Sequence, residues 1–187
     1  MALNPIKPAK GKLLLAEPSI QESYFHRSVI FITEHNHEGT VGFTLNKPVN
    51  LSLNDLVDDL PTVHDPVFLG GPVSKDNLFF LHTIGASIPD SVQILPGLWW
   101  GGDFNVVKQM IEQNKIESGS IRYFIGYSGW ESGQLERELE ENSWVVAPTQ
   151  VTEVMDASQT QLWEKILRSM GKDLALLSYF PEDPQLN

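Results

Sequence analysis

The sequence predicts a single α+β domain: one mixed, mostly antiparallel β-sheet with a long hairpin and peripheral α-helices. Three observations carry this expectation. Short β-branched and aromatic runs are interspersed with short helical patterns, without the regular βαβ spacing of a parallel sheet. The stretch from Arg27 to Pro48 reads as a long hairpin. The 187 residues are 41% hydrophobic and 20% charged, an ordinary balance for a globular chain able to bury a core.

Each element has its own warrant. Residues 1–10, with Pro5 and Pro8, read as a flexible arm ordered only by docking, and residues 11–187 as the domain. Gly11 to Ala16 is a short apolar strand. Ser28 to Thr33, apolar on both faces, is the hairpin's first arm and a central strand. Its second arm alternates, with Val41, Phe43 and Leu45 on one side and Gly42, Thr44 and Asn46 on the other. A polar loop of four or five residues closes on Gly39. Ser52 and Asp55 have capping-box spacing, and Leu53, Leu56, Val57 and Leu60 repeat as a short amphipathic helix stopped by Pro61. Val67 to Leu69 is a buried strand breaking at Gly70-Gly71-Pro72, where main chain can approach closely. Leu78 to Thr83 follows, then a β pair at Ser91 to Leu95 and Gly97 to Gly101. Asp103 caps a helix bearing Phe104, Val107, Met110 and Ile111 on one face. Ser120 to Tyr127 is a strand, Leu135 and Leu139 mark the buried side of an acidic helix, and Trp144 to Ala147 is the last strand. Val151 to Met155 precedes a helix with Leu162, Trp163, Ile166, Leu167 and Met170 inside and Gly171 at its C-terminal cap.

Composition limits the chemistry. With no cysteine, disulfides, thiolate nucleophiles and cysteine-bound metal are excluded. The net charge of −11 opposes direct nucleic-acid binding and favours cationic or neutral partners. No apolar run reaches the roughly 20 residues a membrane-spanning helix needs, and Leu13 to Ala16 is too short for a secretory core segment, so a cytoplasmic location with no membrane association is expected.

Candidate sites are few. Gly126-Tyr127-Ser128-Gly129-Trp130 has the setting of a nucleophile elbow but the wrong spelling, because Trp130 stands where glycine is required. Ser128 reads instead as a helix cap answered by Glu131. Glu34-His35-Asn36-His37 gathers ligand-type groups in one turn, without a distant third ligand. Trp130, in a glycine-rich turn, is the tryptophan expected to border a pocket. The glycines at 126, 129 and 133 match no phosphate-binding fingerprint, so no cofactor is expected.

Taken together, Phe25 to Asn36, Gly42 with Asn46-Lys47-Pro48, Gly70-Gly71-Pro72, Gly126 to Trp130, Gly133 to Glu136 and Trp144 resemble the AlgH/YqgE family of uncharacterised bacterial proteins, over nearly everything from Gly11 to Gly171. The resemblance implies a single α+β domain with a mixed, bulged sheet and no established enzymatic activity. It also implies that alanine is accepted where Ser128 stands, which an obligatory nucleophile would not allow. The family name reflects a proposed role in regulating transcription of exopolysaccharide genes, to which the acidic balance lends little support.

The leading expectation is a non-enzymatic binding or regulatory domain acting through a protein partner. Its candidate surface is Arg27, Glu34, Asn36, Asn46, Lys47, Gly70, Gly71 and Trp130. For Arg27 the competing expectation is structural, as a pair with Glu34 or a carbonyl. The alternative function is a small hydrolase or metal-assisted enzyme using the Glu34 to His37 turn. A homo-oligomer is permitted by exposed strand edges but not demanded.

Overall fold

A hydrogen-bonded path of eight strands forms the frame of the computed structural model, which describes residues 6–20, 22 and 24–180. In chain order the elements are β1 (Leu13–Ala16), β2 (Val29–Asn36), β3 (Gly39–Thr44), β4 (Pro48–Ser52), β5 (Pro66–Leu69), β6 (Val73–His82), β7 (Val92–Leu95), β8 (Leu98–Trp100), α1 (Phe104–Glu112), β9 (Ile121–Glu131), α2 (Gln134–Glu140), β10 (Trp144–Ala147), α3 (Val151–Met155), α4 (Leu162–Ser169) and α5 (Lys172–Leu177). The path runs β10-β1-β2-β3-β9-β6-β8-β7, with β5 joined to β9 and β4 joined to β5. Only β5 with β9 is a parallel pair among the described residues; the others are antiparallel.

The long strand β9 is shared by both halves of the sheet. Its residues 123–125 pair with β5, and its residues 128–131 pair with β3. Between them lies Gly70-Gly71. The Gly70 N–H donates to Ile125 O at 2.8 Å, while Gly70 O accepts from Thr44 N at 2.9 Å and from Ser128 Oγ at 3.0 Å. A Cβ on Gly71 would stand 2.2 Å from the backbone carbonyl of Tyr127, and one on Gly70 would stand 2.3 Å from Gly126 O. Glycine is required here because backbone meets backbone.

Burial explains the rest. One cluster around Leu13, Phe31, Phe43 and Phe124 packs under α4, whose Trp163 Nε1 donates to Ala16 O at 2.8 Å. A second cluster joins Ile30, Ile32, Trp130 and Trp144 to Leu135 of α2. A third joins Val67, Phe80 and Tyr123 to Val107 and Ile111 of α1, which Asp103 caps by accepting from Asn105 N at 2.9 Å. No helix among the described residues is long and apolar enough to cross a membrane.

Several sequence expectations need correction. The hairpin loop has two residues, His37 and Glu38, because a bulge between Ile32 and Glu34 extends β2 to Asn36. The helix expected after Ser52 is a 3-10 turn at Leu53–Asp55, in which Asp55 accepts from Ser52 N and Oγ at 2.7 Å each. The chain turns back instead: the Asn54 side chain donates to Leu60 O and Pro61 O at 3.1 Å each and accepts from Val63 N at 2.9 Å, and Asp59 takes a φ of +61°. Ser128 is no helix cap, since β9 continues to Glu131 and α2 starts at Gln134. Strand β4 and helix α5 went unpredicted. Residues 1–5 of the expected arm lie outside the described residues; Ile6 packs on the second cluster and Lys10 Nζ donates to Gln93 O at 3.1 Å.

Candidate functional site

The bulge in β2 creates the site. Beyond it, the register sets Glu34 beside Val41 and Gly129, and Asn36 beside Gly39 and Glu131. These two cross-strand rows share one face of the sheet. The intervening row, His35, Thr40 and Trp130, faces the other way, towards α2. His35 Nδ1 lies 2.8 Å from Thr40 Oγ1, and its Nε2 lies 3.8 Å from Glu136.

On the first face the rows form a cleft of about 630 Å³ at the hairpin tip. Val41 and Gly129 make its floor, Tyr127 and Val73 one wall, and Glu34, Glu38 and Glu131 supply carboxylates. No Lys or Arg lines it among the described residues. Asn36 sets the rim by donating to Glu34 Oε1 at 2.8 Å and accepting from Glu38 N at 2.7 Å. Gly129 is exposed, and a Cβ there would lie 3.1 Å from the Tyr127 ring.

The predicted surface is thereby divided. Glu34, Asn36 and Trp130 meet at the cleft, but Trp130 is 6% exposed and turns its indole to the far face. There its Nε1 and that of Trp144 both donate to Glu138 Oε2, at 2.8 and 2.7 Å, while Gln134 donates to Oε1 at 2.8 Å. Arg27, Asn46 and Lys47 lie at the opposite end of the hairpin, roughly 20 Å away at the rise of an extended strand. Asn46 accepts from Val29 N and donates to Arg27 O, and Lys47 donates to His26 O, tying that end together. Arg27 forms an ion pair with Glu164 at 3.1 Å rather than with Glu34, and its guanidinium stacks over Trp163 and donates to Phe180 O. Gly70 and Gly71 are buried at the strand junction and reach neither group.

The constellation expected of the alternative enzyme is also split. Glu34 and His35 point to opposite faces, and among the described residues no three His, Asp or Glu side chains are grouped to hold a metal ion. Ser128 is buried and its hydroxyl is spent on Gly70 O. His82 is fully buried and not fully satisfied: Nε2 lies near Ser91 Oγ and Gly101 O, Nδ1 has no partner among the described residues, and burial lowers its pKa. Arg122, also buried, holds Val154 O and Leu45 O over the faces of Phe68 and Phe124, and burial lowers its pKa to about 10. Asp65 and Tyr123, which the sequence did not single out, both line a second cleft; the one signal was a tyrosine beside Phe124 and Ile125 in an otherwise largely apolar strand.

The fold defines the class: a single-domain α+β protein with a ten-stranded, bulged, mostly antiparallel sheet. The chain belongs to the AlgH-like family, DUF179, whose model matches residues 13–175. It is 44% identical over 179 residues to a UPF0301 protein of Cytophaga hutchinsonii, covering 95% of this chain and 98% of that one. A UPF0301 protein of Chlorobaculum parvum is 40% identical over 177 residues, covering 95% of each. The solution structure of the AlgH protein from Pseudomonas aeruginosa superimposes with a TM-score of 0.74 at 28% identity, covering 94% of this chain and 98% of that one. Protein DIP2367 from Corynebacterium diphtheriae shares the fold, with a TM-score of 0.77 at 24% identity and 94% coverage of each chain. The family's function is uncharacterised.

Proposed function

We propose that this chain is a non-enzymatic, cytoplasmic binding domain that acts through a protein partner, and that the hairpin-tip cleft takes a positively charged, extended segment of that partner. The observation that carries the reading is the cleft's make-up: three carboxylates around an apolar floor, with no basic side chain lining it among the described residues. Lysine and arginine suit such a surface because their alkyl stems cover apolar floor while their charged ends reach the rim. The net charge of −11 adds long-range attraction for the same partner. A regulatory role would follow from which protein is captured, without contact between this chain and nucleic acid. Binding is favoured over catalysis because Ser128 and His35, the groups an enzyme would recruit, point away from the cleft.

Fluorescence anisotropy with an extended Lys/Arg-rich nonapeptide and its Glu-rich counterpart tests the reading. Saturable binding of the basic peptide alone is expected, weakened about tenfold by the double substitution E34Q/E131Q. Equal affinity for both peptides, or an unchanged affinity in the double variant, would sink it.

A further inference from the structure

A second concavity, of about 210 Å³, opens where the residue preceding β5, the turn after α1 and the start of β9 meet. Asp65, Asn114, Ser118 and Tyr123 give it polar groups, and Ile111 and Ile116 an apolar side. Its edge residues His64 and Asp65 also border a neighbouring depression of about 350 Å³ beside β4.

Tyr123 departs from the usual condition of a buried phenol. The residue is 1% exposed, yet among the described residues no hydrogen bond reaches its hydroxyl. Nor is that oxygen one of the described side-chain atoms sealed from solvent without a partner. Its open side is therefore the cleft. Buried tyrosine hydroxyls ordinarily find a partner, so this one is positioned for a group the protein does not itself supply.

Asp65 is the matching half. Burial raises its pKa, and the Gly119 N–H and the neighbouring His64 only partly oppose that. Burial, and after it the Asp65 charge, push the Tyr123 phenol above the normal range, so the hydroxyl keeps its proton. No Lys or Arg lines the cleft among the described residues. A carboxylate poor in donors beside a hydroxyl with free lone pairs lacks a cationic donor. The cleft is smaller than the sites that hold drug-sized ligands, which run from roughly 300 Å³ upwards. No third carboxylate or imidazole joins His64 and Asp65 to make a metal site among the described residues.

We propose that this cleft binds a primary alkylammonium group, accepted by the Asp65 carboxylate and the Tyr123 hydroxyl oxygen, with its alkyl stem against Ile111 and Ile116. The site is separate from the hairpin tip and does not depend on how that cleft is used.

The test is a titration of n-butylamine into the full-length chain, followed residue by residue in ¹H–¹⁵N NMR spectra, with n-butanol as the neutral isostere. Saturable shifts are expected at Asn114, Ser118 and Tyr123 with the amine only. Asp65→Asn, close in shape, should weaken binding about tenfold or more, as expected on losing a hydrogen bond to a charged group. Tyr123→Phe should weaken it severalfold while leaving the spectrum of the folded chain in place. The proposal is overturned if butanol binds as well as butylamine, if the shifts map to Glu34 and Glu131 instead, or if Asp65→Asn binds with unchanged affinity.

Discussion

At the residue scale, two acids show how position decides what a carboxylate does. Glu138 receives both indole N–H groups and an amide and so holds Trp130, Trp144 and α2 together. At Asp65 burial outweighs what the Gly119 N–H and the neighbouring His64 do to favour the charged form. Its pKa is raised above the ordinary 3.8, so ionising it costs the folded state stability. That cost is absent below the unfolded pKa and develops as pH rises through the folded value. Asp65→Asn is therefore expected to raise the melting temperature at pH 7 by about 1–3 °C and to leave it unchanged at pH 3. Thermal melts of the two proteins across that range check it, and a gain that is the same at both pH values would show that ionisation is not the cause. An acid that lowers stability by ionising is the kind of residue found where binding, rather than packing, determines the choice.

At the element scale, the junction of β3, β5 and β9 is the part of the fold least tolerant of change. Gly71 has the backbone of Tyr127 and Ser128 where a Cβ would sit, at 2.2 and 2.3 Å, and backbone cannot step aside as a flexible side chain can. We expect Gly71→Ala to cost about 3 kcal/mol or more in urea denaturation. Gly119, at φ +80 with no atom of the described residues within 4 Å of where a Cβ would stand, is the control. Gly119→Ala should cost only about 1 kcal/mol, the strain of a left-handed backbone. Similar costs at both positions would show that the close approach at β9 relaxes. The hairpin teaches a related point. Its apolar arms were legible from β-branched and alternating residues, but the bulge at Thr33 was not, because bulges follow from pairing with a partner strand. That one inserted residue moves Glu34 and Asn36 onto the cleft face and His35 off it.

At the scale of the whole molecule, net charge and cleft act together. Attraction between the −11 chain and a basic peptide is screened over a Debye length of about 10 Å at 0.1 M salt. Raising salt from 0.05 to 0.5 M is therefore expected to weaken the basic nonapeptide about tenfold or more, with a shallower dependence in E34Q/E131Q. Anisotropy titrations at four salt concentrations measure the slope, and a salt-independent affinity would remove charge from the account.

The α+β class, the hairpin, the helix capped by Asp103, the acidic helix resting on Leu135 and the motifs of the AlgH-like family were all determined by the sequence. Each depends on local periodicity, on turn and capping chemistry, or on residues adjacent in the chain. The close approach of main chain at Gly70-Gly71 was legible as well, but the tertiary structure alone decided which strands meet there, the division of the predicted surface between two ends of a hairpin, and the place of Asp65 and Tyr123 in one cleft. These depend on strand register and on contacts between residues far apart in sequence, and register is set only when all the strands pack together.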